Sequence, residues 1–299
     1  MRFSLQLKLT LVSLLLLFIP AVGFHVSTII KSNLMQSRED TLMFSSRAVA
    51  SALTGRPGLF EQELFRSLDK DKDIYLYELT NPMRLNGKLD DWKSQRENTI
   101  TYSHEHQIFP EYRSPYSSLH FEHMIGKRRG YLHAVFIVTD DKLVYRNKQS
   151  LHLDRSDHLQ ISIEDQNQQL KKYIITTEKP GWVNGFLIPS KPEDSFLAKN
   201  EPRIQGVWEE IEDGYILEIR IPMKMIGKKL AFGIADVDNH ETREIMTIIS
   251  TTNPDKSDNL GWLLPISDEI VQILDSMNRP NSRIQVVDMS RRVRASIGD

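Results

Sequence analysis

Hydrophobic and polar positions divide the chain into three regimes. From Leu9 to Ile30 no residue carries a full charge, and the run LTLVSLLLLFIPAVGF lies between Lys8 and Lys31. About 20 apolar residues suffice for a helix to cross a bilayer, so 9–30 is expected to be a transmembrane signal anchor. A cleavable signal peptide competes, with Ala21-Val22-Gly23 as a small-x-small site. Val26, Ile29 and Ile30 continue the uncharged stretch beyond that site and favour retention. Residues 31–56 then read as a helical stalk. Met35, Leu42 and Val49 recur seven apart, with Leu53 four further on. That spacing suits a seam with a second copy in a homodimer, or an amphipathic helix lying on its own domain. Gly and Pro in TGRPGLF (54–60) end it.

From Ile74 the period changes to short β-rich runs. Strands are predicted at 74–79, 119–125, 131–138, 158–164, 172–177, 182–188, 215–221 and 230–237. Asp213-Gly214 is a two-residue hairpin signal. In EIRIP, Glu218 and Arg220 alternate with Ile219 and Ile221, which puts one face in a core and one in water. Many short strands with almost no helix between them predict a mainly β fold. The expectation is an antiparallel, jelly-roll-like β-sandwich over 70–265, following the transmembrane helix and stalk. Beyond it, SDEIVQILDSMN is an amphipathic helix with Ile270, Ile273, Leu274 and Met277 on one side, and RIQVVDMSRRVRAS reads as a hairpin. These cannot bury a core of their own, so 267–299 is expected to open a truncated membrane-proximal domain.

Charge and composition narrow the partners. A net charge of −2 gives no reason to expect nucleic acid. With no cysteine, disulfides, thiolate metal sites and cysteine nucleophiles are excluded. Arg2 and Lys8 favour a cytoplasmic 1–8, but Lys31, Arg38 and Arg47 follow the span, so charge alone does not orient it. A secretory-type N-terminus exports the long domain behind it. The main domain is therefore expected to be periplasmic, on a bacterial inner membrane.

Candidate chemistry falls at a few places. Asn86-Gly87 in RLNGKLDDW suits a type I′ turn, with Asp90 beside it and Trp92 expected to close the first strand over the core. Trp182, Trp208 and Trp262, near Asn184, Arg203 and Gln205, are the ligand candidates. An aromatic ring covers a sugar's C–H face while polar neighbours take its hydroxyls; ordinary core packing is the competing reading for each. Asp154 and Asp157, with Glu164, Asp165, Asp140 and Asp141, could supply oxygens to Ca²⁺. His120 and His123 fall on opposite faces of a strand, which argues against a shared zinc site with His104 and His106. No nucleophile elbow or P-loop is present, so no enzyme is expected.

LNGKLDDW, YLHAVFIVTDDKLVY, RSDHLQISIED, EDGYILEIRIPMKMI and LAFGIADVDN occur in that order. Together they resemble family-nine carbohydrate-binding modules and their DOMON-like relatives. Across the whole chain, LYELTNPMRLNGKLDDW, PGWVNGF, EPRIQGVWEE and RIQVVDMSRRVRAS resemble the N-terminal sensor region of the proteobacterial dedicated sortase system histidine kinases. The resemblance implies a two-component sensor that binds a glycan or other cell-envelope ligand. It would engage a response regulator only if a kinase core follows. The His-Glu-(Leu/Phe)-Arg-Thr-Pro phosphoacceptor motif and the Gly-rich ATP lid are absent from this sequence.

Overall fold

The computed structural model describes residues 5–54, 72–111, 118–189, 198–254, 257–265, 268–276, 283–287 and 293–297. The chain divides into two units: 1–61 with 269–284 and 296–299, and 62–268 with 285–295.

The first unit is dominated by one helix, α1 (Leu5–Thr54), of 50 residues, about 75 Å at 1.5 Å per residue. Of the expected stalk seam, Val49 and Leu53 are buried while Met35 and Leu42 are exposed. Phe18, Phe24, Leu34 and Phe44 are exposed as well. Among the described residues no helix is long and apolar enough to cross a membrane. Most side chains of the 9–23 stretch, on which the anchor expectation rests, lie outside the described residues. A second helix, α2 (Asp268–Asp275), buries Ile270 and Leu274. Beyond it, β14 (Ile284–Val287) pairs with β15 (Val293–Ile297), residues 285–295 of this hairpin being counted in the second unit.

The second unit is a β-sandwich. Its strands are β1 (Ile74–Glu78), β2 (Ile100–Tyr102), β3 (Gln107–Phe109), β4 (His120–Arg128), β5 (Tyr131–Thr139), β6 (His158–Glu164), β7 (Leu170–Thr176), β8 (Gly181–Ile188), β9 (Lys199–Ile211), β10 (Gly214–Pro222), β11 (Lys229–Asp236), β12 (Thr247–Ser250) and β13 (Gly261–Pro265). The hydrogen-bonded order is β13-β1-β4-β5-β10-β9-β8-β7-β6-β11-β12-β3, and β13 also pairs with β11. The two layers therefore belong to one sheet that closes on itself. Pairing is antiparallel except at β1, which runs parallel to both β13 and β4.

Alternation builds the core. Tyr215, Leu217, Ile219 and Ile221 of β10 point inward with Leu132, Ala134, Phe136 and Val138 of β5. Across the sandwich, Phe136 meets Phe232 of β11 edge-on at 4.9 Å. The outward face of the same strands is not simply in water. Leu79, Trp92, Met124, Val135 and Ile216 form a second buried cluster there, with Met83 and Leu89 against it.

Glu218 holds that cover in place. It is fully buried, contrary to the water-facing position its alternation suggested. Its Oε2 accepts from the backbone N–H groups of Asn86 (2.9 Å) and Gly87 (3.2 Å), and its Oε1 from Trp92 Nε1 (3.0 Å). Burial pushes its carboxyl above the usual range, and these three donors pull it back. Gly87 has φ +69°, and a Cβ there would lie 2.9 Å from Glu209 Cβ. Asn86 does not share the positive φ of a type I′ turn; its Oδ1 accepts from Lys88 N instead. Trp92 lies in a 3₁₀ turn (Asp90–Asn98), in which Asp90 pairs with Lys93, and it packs with Leu79 at the end of the expected first strand. The hairpin loop is likewise shifted by one: Ile211 pairs with Gly214, leaving Glu212 and Asp213 as the turn. Gly214 is required, because a Cβ at its φ of +139° would meet Val138 O at 2.1 Å.

Candidate functional site

The outward face of β8, β9, β10 and β5 carries the most exposed aromatic among the described residues of the sandwich. Residues directly opposite in antiparallel strands share a face. The register aligns Asn184 with Gln205, Gln205 with Arg220, and Arg220 with His133. Trp182 stands one step along, opposite Val207, and is 55% exposed. Its Nε1 donates to Asn184 Oδ1 at 3.3 Å. Arg220 Nε and Nη2 both donate to Gln205 Oε1 (2.9 and 2.6 Å), and its guanidinium lies 5.3 Å over the Tyr131 ring. Trp182 and Tyr131 thus flank a row of amide and guanidinium groups.

Of the candidate ligand residues, the structure brings Trp182, Asn184 and Gln205 together. Arg203 alternates with core-facing Ile204 on β9 and so shares this face, but it is tied to Glu201 through Nε (2.6 Å) and Nη2 (2.5 Å). Trp208 is 1% exposed and stacks on Tyr215 with ring centres 3.8 Å apart. It is a core residue, because alternation turns it inward from Val207. Trp262 is on β13, between β1 and β11 rather than beside β8. Its backbone N–H donates to Asp73 Oδ1 (2.8 Å), and Lys229 Nζ lies 5.1 Å over its ring. Arg220, Tyr131 and His133 were missed. Arg220 was the legible one, as the outward residue after Glu218 in EIRIP.

The aspartates make a second feature at the other end of β5. Asp140, Asp157 and Asp236 are all buried, with one carboxylate oxygen of each mutually within 4.8 Å; Asp140, Asp141 and Asp238 form an overlapping group. Asp157 accepts from Val144 N (2.6 Å) and Val237 N (2.9 Å), so both its oxygens are held by backbone. Asp140 Oδ2, Asp236 Oδ1, Asp238 Oδ1 and the Tyr215 hydroxyl are buried without a hydrogen-bond partner. Burial first, then the charge of Asp140, pushes Asp157 and Asp236 up to about 8. Asp140 rises to about 6 through burial and the charges of Asp238 and Asp141.

The structure divides the Ca²⁺ candidates. Asp157 joins the cluster with Asp140 and Asp141, whereas Asp154 is exposed beside His152 at 3.8 Å. Asp165 caps a turn, accepting from Asn167 and Gln169 N–H. Asp236 and Asp238 were missed, though DVD at the end of a strand was their signal. No histidine joins either grouping among the described residues. His123 is buried while His120 is not, as their alternation required.

No family model matches the chain, and no curated protein matches it. Among solved structures, the chain is similar to a family-nine carbohydrate-binding module from Caldicellulosiruptor kristjanssonii in complex with glucose. The identity is 16% and the TM-score 0.43, over 66% of this chain and 98% of that one. It is also similar to a structure of such a module from the same organism in complex with cellotriose, at 14% identity and TM-score 0.43, over 66% and 96%.

Proposed function

We propose that this chain is a glycan-binding β-sandwich carried on a membrane-anchored helix, the ligand-sensing region of a two-component sensor. The observation that carries the binding reading is Trp182, half exposed on a sheet face and fixed to Asn184 beside Gln205 and Arg220. An exposed ring fixed beside amide groups offers an apolar surface and a polar rim to one ligand. A flat apolar face rimmed by amide and guanidinium donors suits a sugar ring with equatorial hydroxyls. Titration calorimetry on the full chain in detergent micelles tests this. Binding of an oligosaccharide lost on Trp182→Ala and kept on Trp262→Ala supports it; the reverse pattern refutes it. Glucose and cellotriose are the first probes.

A cation belongs to the same proposal. Asp140 and Asp236, each with an unpartnered carboxylate oxygen, lie with Asp157 in a group whose ligand oxygens are mutually within 4.8 Å, which suits a hard divalent ion such as Ca²⁺. Asp157 is held in place by its two backbone donors, and Asp141 and Asp238 adjoin Asp140 in the overlapping group. The ion would supply charge neutralisation that fastens the ends of β5 and β11. The anchor at 9–30, the periplasmic placement, the homodimer and the link to a kinase core extend the proposal from the uncharged N-terminal run and the sequence resemblance. Protease accessibility in spheroplasts checks the placement: cleavage of the sandwich from outside supports it, and protection refutes it.

A further inference from the structure

The row of polar groups on the binding face is not electrically neutral. Arg220 and Arg128 stand on it without a carboxylate in ion-pair range among the described residues. Arg220 is held by a neutral amide and an aromatic ring. Arg128 Nη1 donates to the carbonyls of Leu79 (2.7 Å) and Thr80. The register sets Arg128 opposite Tyr131, and Gly126 and Arg220 on either side of His133. Glu218, two residues before Arg220 on the same face, has both oxygens engaged by Asn86, Gly87 and Trp92.

His133 reports the local field. It is 6% exposed, and its Nδ1 is buried without a partner. Burial first, then the charges of Arg220 and Arg128, hold it down to about 4. Both guanidiniums therefore act on one point, and the imidazole between them is neutral at pH 7. Guanidinium forks match carboxylate geometry, and a charge-assisted pair is about twice as strong as a neutral hydrogen bond. Along β5 this cationic end lies at Tyr131, whereas the aspartate cluster lies beyond Thr139, about 25–30 Å away by strand rise. The two features are separate sites of opposite charge preference.

We propose that the Arg128–Tyr131–His133–Arg220 end of this face receives a sugar carboxylate, so that the ligand is a uronic-acid-containing glycan. The inference rests on the sugar-binding reading and names its substrate class. Tyr131 and Trp182 then cover sugar rings at the two ends, and Gln205, fixed by Arg220, presents its amide between them.

The test uses the full chain in detergent micelles and a panel of uronic-acid tetrasaccharides, each beside its carboxyl-reduced neutral counterpart. The acidic member should bind about tenfold to a hundredfold tighter, the range of one charge-assisted hydrogen bond. The gap should narrow with added salt. Arg220→Gln should close the gap, the acidic member losing more affinity than its neutral counterpart, which itself loses a donor and the fixing of Gln205. If Arg220→Gln does not fold, Arg220→Lys should keep part of the gap and Arg128→Gln should reduce it. Equal binding of both members, or a gap that survives Arg220→Gln and Arg128→Gln together, overturns the acidic assignment and leaves the sugar reading intact. No binding of any member, acidic or neutral, overturns the sugar reading and this proposal with it.

Discussion

Removing divalent cations should make the sandwich steeply pH-sensitive, and the magnitude follows from the aspartate cluster. In the cation-free fold Asp140 titrates near 6 and Asp157 and Asp236 near 8, against 3.8 for an ordinary aspartate. Each folded-state value is raised, so between these limits the native state holds protons that the unfolded chain has released. Stability must then fall as pH rises, by about 1.4 kcal/mol per unit for each group. The three groups are coupled through Asp140, so the slope of one group, about 1.4 kcal/mol per pH unit, sets the scale of the loss. A bound cation replaces those protons. At a free Ca²⁺ concentration a hundredfold above its Kd, mass action contributes about 2.7 kcal/mol. That corresponds to a Tm increase of roughly 5–10 °C for a domain of this size. The assay is thermal unfolding of the full chain by near-ultraviolet circular dichroism, reporting on the stacked Trp208–Tyr215 pair, in Ca²⁺ or chelator at pH 5 and pH 7. The Ca²⁺ increment should be large at pH 7 and much smaller at pH 5, where protons compete. Asp236→Asn should stabilise the chelated protein at pH 7 and reduce the Ca²⁺ response. A chelated protein whose Tm is indifferent to pH between 5 and 7, or an Asp236→Asn variant less stable than the parent in chelator, refutes the reasoning.

Glu218→Ala leaves the N–H groups of Asn86 and Gly87 and Trp92 Nε1 buried without their acceptor. It should cost about 3–5 kcal/mol in urea unfolding, with Glu218→Gln losing less because one acceptor oxygen remains. Gly214→Ala drives a Cβ into Val138 O and should lower the urea midpoint by more than about 2 kcal/mol equivalent, without altering cation response. The tryptophans should separate cleanly. Trp208→Ala costs about 3–5 kcal/mol as a core deletion, whereas Trp182→Ala changes stability by less than about 0.5 kcal/mol and removes sugar binding.

Period-2 alternation made the central strands legible. Every strand expected from the sequence starts within two residues of the observed one, because both layers bury one face and register cannot slip without exposing it. The short strands β2, β3, β12 and β13 were not legible. Three to five residues hold too few alternations to stand out, and hydrogen bonds to β4, β12, β11 and β1 define them instead. Alternation also tells which side a residue faces, never what covers that side. Glu218 faced outward as expected, yet a loop from more than a hundred residues earlier closes over it. The same gap explains the tryptophans: Trp182 and Trp208 looked equivalent as sequence, and only the β8–β9 register separates the outward one from the inward one. It explains the cluster too, where Asp140, Asp157 and Asp236 come from three strand ends that meet only when β10 joins β5 and β11 joins β6. RLNGKLDDW and EIRIP are therefore one structural unit. Glu218 ties the loop over half of the outward face of β10, and where that cover stops, at Arg220, the face is left open for a ligand.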